Sequence, residues 1–361
     1  MNLLITSAES RKCFDIFNIL NPKLTKIYLC SDLGVFARGL LSLVYFKKVF
    51  KTEKIFKLIQ SRALHTKILP VEEADLELIY GYELEYSSLL PDKNAFYGVA
   101  NKKLLFQHAI EHSVPCPRTI GADEITSNYI SGSVVVKPFR GTGSEGVRFF
   151  DDYTKATLYI KSLPNPSDML VQELIGSNRV VAGCFLFDKG HLTSFYGHER
   201  LRTYPTTGGV TVCSVSHNDP RIMDLGQQLL APLKWSGLAM VEFMWSDLLK
   251  DYQLIEVNPR AWGSIMLSEK CGSNMLMNYV DLIHGKSVTK SIGRENCYIR
   301  WLMPYDIINL AKGVTTLSEY RNMNKKNDCL INISYSNFIQ SGIFHIFQIT
   351  RVSKIIKKFF S

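Results

Sequence analysis

Two strongly apolar segments joined by a short polar link constrain this chain most. They are Leu238-Ala239-Met240-Val241-Glu242-Phe243-Met244-Trp245 and Tyr252-Gln253-Leu254-Ile255-Glu256-Val257, with Ser246–Asp251 between them. Runs of this length bounded by a turn signal predict two paired strands. Glu256 and Asn258 stand two apart, so on a strand both point to the same face. Glu242 sits inside the apolar partner run. Two carboxylates facing each other there would repel and lose hydration, so at least one would have to take up a proton. A divalent cation removes that conflict. Two carboxylates and an amide oxygen form a hard, all-oxygen donor set suited to Mg²⁺ carrying nucleotide phosphates. The competing reading puts both glutamates on the outward faces of edge strands; the apolar residues alternating with them argue against it.

A second feature is Gly141-Thr142-Gly143-Ser144-Glu145-Gly146, a GxGxxG pattern. A dinucleotide fingerprint needs a helix directly after the glycines, and here the strand-like Val147-Arg148-Phe149-Phe150 follows. A P-loop would end in Gly-Lys-Ser/Thr, which is missing. What remains is a hairpin whose bare backbone N–H groups can close over phosphates, with a plain glycine turn as the bland alternative. Val134-Val135-Val136-Lys137-Pro138 brings a lysine to the end of an apolar strand just before the loop. Such a lysine ordinarily snorkels to water; beside a phosphate cradle it would neutralise triphosphate charge. Lys102, at the head of the helix predicted over 102–111, is a second such cation, although alone it would read as a solvated surface residue.

Around these features the chain reads as α/β. Leu3–Thr6, Lys26–Cys30 and Lys67–Leu69 are short strands separated by helical stretches, which argues for a small parallel α/β unit up to about residue 93. Lys47, Lys48, Lys51, Lys54 and Lys57 alternate with Val49, Phe50, Ile55 and Phe56 and read as a solvated face around a core edge. Val114-Pro115-Cys116-Pro117 stops the 102–111 helix. Further strands are predicted at 169–174 and 180–187, and a helix at 221–233. The 361 residues, 46% of them apolar, suffice for two or three cores and exclude a disordered chain. No run of eighteen or more apolar residues occurs, so no bilayer-spanning helix is expected. The start lacks a basic flank and a long apolar core, so no secretory signal is expected. Eight scattered cysteines without a CxxC pair suggest reduced thiols and a cytoplasmic location.

Charge is unevenly spread. Lys plus Arg is 42 and Asp plus Glu 33, a net +9. From Arg294 onward there are ten basic residues and four acidic ones, so +6 lies in the last 68 positions. The body is close to neutral, which argues against a nucleic-acid partner. The tail ends in a predicted cationic amphipathic helix, with Val352, Ile355, Ile356 and Phe359 on one face and Arg351, Lys354 and Lys358 on another. It either docks on the body or makes a peripheral contact with anionic lipid at the inner face of a membrane.

Taken together, Asn101-Lys102, Val136-Lys137-Pro138 with the loop 140–147, Val171-Gln172-Glu173-Leu174-Ile175, Val241-Glu242-Phe243 and Ile255-Glu256-Val257-Asn258-Pro259-Arg260 resemble the ATP-grasp superfamily, and within it the carboxylate–amine ligase-like members. The resemblance covers roughly residues 94–290. It implies an α/β (α+β) ATP-grasp fold preceded by a small parallel, Rossmann-like domain at 1–93. The lid subdomain would span about 115–170, the metal-binding subdomain about 171–290, and a basic extension 291–361.

Carried over by position, the resemblance assigns Lys102 and Lys137 to the nucleotide phosphates. Gly141, Gly143, Ser144 and Gly146 would form a mobile lid, and Glu173 and Ile175 would bind adenine through the backbone. Glu242, Glu256 and Asn258 would hold one or two Mg²⁺ ions, with Mn²⁺ as a substitute. Arg260 would stabilise the transferring phosphoryl group. Arg200 and Arg202 are further candidates for gripping a carboxylate or phosphate, because arginine binds both with a planar fork. Two positions depart from the pattern. Arg179 stands where many relatives have a ribose-binding glutamate, and Met240 where some have an arginine two residues before the first metal carboxylate.

The implied reaction is phosphorylation of a small-molecule carboxylate by ATP, followed by attack of an amine on the acyl phosphate. Positioning and charge neutralisation would carry the catalysis. Two alternatives stand beside it: a phosphotransferase that stops at phosphorylation, and a non-catalytic nucleotide-binding module. The sequence speaks against a protein kinase, since no His-Arg-Asp or Asp-Phe-Gly occurs. If the tail touches membrane, a lipid-linked sugar acid in bacterial surface-polysaccharide assembly fits as acceptor. The residues leave the acid, the amine and the oligomeric state open.

Overall fold

The computed structural model describes residues 1–141, 146–177, 179–204, 210–301, 306–324, 329–331, 340–345 and 347. Two compact units emerge, neither continuous in sequence. One comprises Met1–Leu90, Leu201–Ser216 and Arg260–Ser361, and the other Pro91–Arg200 and His217–Pro259.

The first unit is built on a parallel four-stranded sheet, in the order Val49–Lys51, Lys26–Ser31, Asn2–Ile5 and Lys67–Leu69. Parallel strands need crossovers, and the helices Arg11–Leu20, Val35–Tyr45 and Thr52–Gln60 fall between successive strands. Leu4, Cys30, Ile55, Phe56, Ile59, Ile68 and Ile79 form one of its cores. The basic run divides as its pattern predicts: Val49, Ile55 and Phe56 are buried, while Lys48, Lys54 and Lys57 are exposed. Chain from far downstream returns here. The helix Met275–Ile283 carries Tyr279, which is fully buried. Its hydroxyl donates to the carbonyl of Ile68 at 3.1 Å and lies 3.0 Å from Ser88 Oγ. In the same unit Val210–Ser216 pairs antiparallel with Tyr298–Arg300, which pairs in parallel with Cys329–Ile331.

The second unit holds two antiparallel sheets. One runs Asp251–Asn258, Gly237–Ser246, Val180–Asp188 and the strand His191–Tyr204 up to Arg200. The other runs Thr119–Gly121, Met169–Glu173, Val134–Pro138 and Arg148–Phe150. The helix Pro220–Leu230 begins with proline at its first position, with Asp219 accepting from the Arg221 amide at 2.9 Å. It lies on the first sheet through Gly226, where a Cβ would come within 2.0 Å of the buried Phe185 ring. Among the described residues no helix is long and apolar enough to cross a membrane. The predicted tail helix over 351–359 lies outside them.

Candidate active site

The helix Lys102–Glu111 begins at Asn101, whose side chain accepts from the amides of Lys103 (3.0 Å) and Leu104 (3.4 Å), a standard N-cap. The Lys102 amide donates to the Phe139 carbonyl at 2.9 Å, which fixes the helix start beside the end of Val134–Pro138. From there the Lys102 ammonium donates to the Gly141 carbonyl at 3.3 Å and lies 3.8 Å from Glu256 Oε2.

Lys137 does not snorkel. It is 6% exposed, and its ammonium stands 5.1 Å from the centroid of the Phe106 ring. Burial lowers its pKa to about 7; the neighbouring Lys102 charge pushes the same way and Glu256 pulls against both. Two cations and a carboxylate therefore share one neighbourhood within the second unit. A buried ammonium is costly for folding alone and suits a polyanion.

Glu242 and Glu256 are direct cross-strand partners, and Met240 faces Asn258 in the same register, with an irregularity between Glu242 and Phe243. Such bulges re-aim side chains near active sites. Asn258 Nδ2 donates to Glu256 Oε1 at 3.2 Å. The expected repulsion between the carboxylates is relieved by cationic side chains. Arg200 Nη2 donates to both oxygens of Glu242, which is 7% exposed, at 2.7 Å each, and Lys102 faces Glu256. The register places Glu242, Glu256 and Asn258 on one hairpin, with Arg200 and Lys102 against its two carboxylates.

The hairpin formed by Val134–Pro138 and Arg148–Phe150 carries the glycine loop. Gly141 and Gly146 flank it; Gly143 and Ser144 lie outside the described residues. Gly146 has φ +74°, a backbone conformation that favours glycine at this end of the loop. Glu173 ends its strand exposed, with its amide donating to Arg118 at 2.9 Å, and Ile175 accepts from the Ser177 amide at 2.9 Å.

Other candidates engage the chain's own carboxylates. Arg202 grips the buried Asp306 through Nε and Nη2, each at 3.2 Å. Arg260 donates from Nη1 to the Ala261 carbonyl at 2.9 Å and stands 4.0 Å from Glu72 Oε2. Lys12 also pairs with Glu72, and burial, reinforced by the Arg260 charge, lowers its pKa to about 8. Arg179 bonds Glu199 at 3.2 Å. The Glu72–Lys12–Arg260 cluster and the Arg200–Glu242 pair carry no local sequence signal, since each joins residues dozens of positions apart.

Residues 99–264 match the family model described as an ATP-grasp domain. This segment has the ATP-grasp fold. The chain's fold is similar to that of the biotin carboxylase domain of 2-oxoglutarate carboxylase from Hydrogenobacter thermophilus, solved with MgADP, ADP and bicarbonate. That match has a TM-score of 0.64 at 13% identity, covering 82% of this chain and 73% of that one. An N5-carboxyaminoimidazole synthase from Aspergillus clavatus, bound to ADP and 5-aminoimidazole ribonucleotide, matches with TM-score 0.62 at 11% identity, covering 82% and 80%. An L-amino acid ligase from Bacillus licheniformis matches with TM-score 0.58 at 13% identity, covering 78% and 74%. No curated protein sequence matches this chain significantly. At such identities these likenesses establish the ATP-grasp fold.

Proposed function

We propose that the protein is an ATP- and Mg²⁺-dependent ligase that activates a carboxylate as an acyl phosphate and joins it to an amine. The observation that carries this reading is the buried Lys137 ammonium grouped with Lys102 and Glu256, on an ATP-grasp domain whose strand register pairs Glu256 with Glu242. MgADP in the carboxylase neighbour and ADP in the synthase neighbour support the choice of nucleotide.

In this reading Lys102 and Lys137 neutralise the nucleotide phosphates, and the loop from Gly141 to Gly146, with Gly143 and Ser144, closes over them. Glu173 and Ile175 frame adenine. Glu242, Glu256 and Asn258 would hold Mg²⁺, which would supply charge neutralisation to the nucleotide phosphates. Arg200 holds Glu242, and so supplies from the next strand but one in the sheet the positive charge that Met240 does not. A carboxylate oxygen of the acid attacks the γ-phosphorus and ADP leaves. The amine then attacks the acyl carbon, phosphate leaves, and the ammonium proton is lost. Arg260, two positions beyond Asn258, is assigned to the transferring phosphoryl group. The protein's task is positioning and charge stabilisation, and one lost donor costs about 3 kcal/mol of transition-state stabilisation.

The test is to screen pairs of acids and amines, bicarbonate and amino acids first, for ADP release, and then to replace the amine by hydroxylamine. The proposal predicts a hydroxamate of the true acid. Turnover without hydroxamate would overturn the acyl phosphate, and ATP hydrolysis unaffected by Glu256→Ala would overturn the metal assignment. A lipid-linked sugar acid as acceptor, in surface-polysaccharide assembly at the inner membrane face, extends the reading through the basic tail. Unchanged sedimentation with anionic vesicles after removal of residues 343–361 would refute that extension.

A further inference from the structure

The helix headed by Lys102 carries a second cluster at its other end. His108, Glu111 and the C-capping His112 each offer a ligand atom, and these atoms lie within 4.8 Å of one another. The spacing i, i+3, i+4 brings all three to one face of a helix. Both imidazoles are fixed by backbone carbonyls: His108 Nε2 lies 2.8 Å from the Leu229 carbonyl and His112 Nδ1 lies 2.9 Å from the His108 carbonyl. A carbonyl only accepts, so each of those nitrogens carries the proton. Nδ1 of His108 and Nε2 of His112 are thereby left as lone-pair nitrogens. This is the support that metal-ligating histidines need, since it sets the tautomer and raises ligand basicity. The rings lie 4.2 Å apart, and the negative end of a ten-residue helix adds a field that favours a cation.

We propose that His108, Glu111 and His112 bind a divalent transition-metal ion of the Zn²⁺ class. Two imidazoles and a carboxylate suit zinc, with bonds of about 2.0–2.2 Å, and leave a fourth position to water. Bonds of that length bring tetrahedral ligand atoms to roughly 3.4 Å apart, so the exposed Glu111 side chain has to swing in and the imidazoles to tilt slightly about their carbonyl hydrogen bonds to close the site. The ion fastens the last turn of the helix, which His108 already ties to the end of Pro220–Leu230 at Leu229. The site is separate from the proposed Mg²⁺ donors, and its chemistry differs: nitrogen ligands select against Mg²⁺.

The test uses tag-free full-length protein in excess Mg²⁺ and equilibrium dialysis against Zn²⁺. Wild type is expected to hold one Zn²⁺ per chain that His112→Gln and Glu111→Gln bind at least tenfold more weakly. Co²⁺ in its place is expected to give the visible d–d absorption of a four-coordinate site in wild type only. Saturating Zn²⁺ is expected to raise the thermal midpoint of wild type by a few degrees and to leave His112→Gln unmoved. Glu111→Gln, at an exposed position, keeps the test valid if a histidine variant fails to fold. Absence of Zn²⁺ binding in wild type, or equal binding in folded variants, would overturn the site; loss of ligase activity alone would not bear on it.

Discussion

Replacing Lys137 by methionine should make the ligand-free protein more stable while weakening its hold on nucleotide. Methionine keeps the apolar stem against Phe106 and removes the charge. The wild-type ammonium ordinarily titrates near 10.5, and burial lowers it to about 7. At about 1.4 kcal/mol per tenfold change in proton affinity, burying it at pH 7 costs roughly 4 kcal/mol. Local relaxation reduces that ceiling, so a gain of about 2–4 kcal/mol is expected for Lys137→Met. The sign with pH follows. The folded state sheds the proton first, so between pH 7 and 10.5 the unfolded state binds more protons and wild-type stability rises with pH. The advantage of the variant is therefore full near and below pH 7 and fades towards 10.5. Urea unfolding of both proteins at pH 7, 8.5 and 10 reads this directly, and titration with MgADP at pH 7 should show about a hundredfold loss of affinity, the equivalent of about 2.7 kcal/mol. A variant less stable than wild type at pH 7, or one binding MgADP equally well, would refute the reasoning.

Two further outcomes follow from the same geometry. Arg200→Gln leaves the 7%-exposed Glu242 without its guanidinium, and should lower stability by about 3 kcal/mol at pH 7, with part of the loss recovered by saturating MgADP; an identical loss with and without MgADP in urea unfolding would contradict a shared role for Arg200 and Mg²⁺ at that carboxylate. Gly226→Ala places a methyl against the fully buried Phe185 ring and should cost about 1–3 kcal/mol, read as a lower urea midpoint at unchanged slope.

Much of the second unit was legible because its signals are local. The apolar runs around Glu242 and Glu256 form the hairpin expected of them, the helix starts at Lys102 as its spacing predicts, and strands flank the glycine loop. What pattern could not supply is long-range placement. Arg200 reads as a free ligand-binding arginine until the strands pair and bring it onto Glu242, 42 positions away. Lys137 is read from sequence as a phosphate-facing cation, but its burial against Phe106 emerges only once the Lys102 helix packs over the strand end. Nor does any local periodicity send Tyr279 back beneath the N-terminal sheet to Ile68, 211 positions away. Polar side chains whose partners arrive from elsewhere in the chain carry no signature of their own.

The central claim is that a nucleotide's phosphates lie between the two lysines and a cation held by the carboxylate hairpin. Calorimetric titration of wild type and Glu256→Gln with ADP, each with Mg²⁺ and with EDTA, tests it most directly. The account predicts one site per chain in wild type, at least tenfold tighter with Mg²⁺, and the loss of that Mg²⁺ advantage in Glu256→Gln. Equal affinity with and without Mg²⁺ in wild type, or an undiminished Mg²⁺ advantage in the variant, would contradict it.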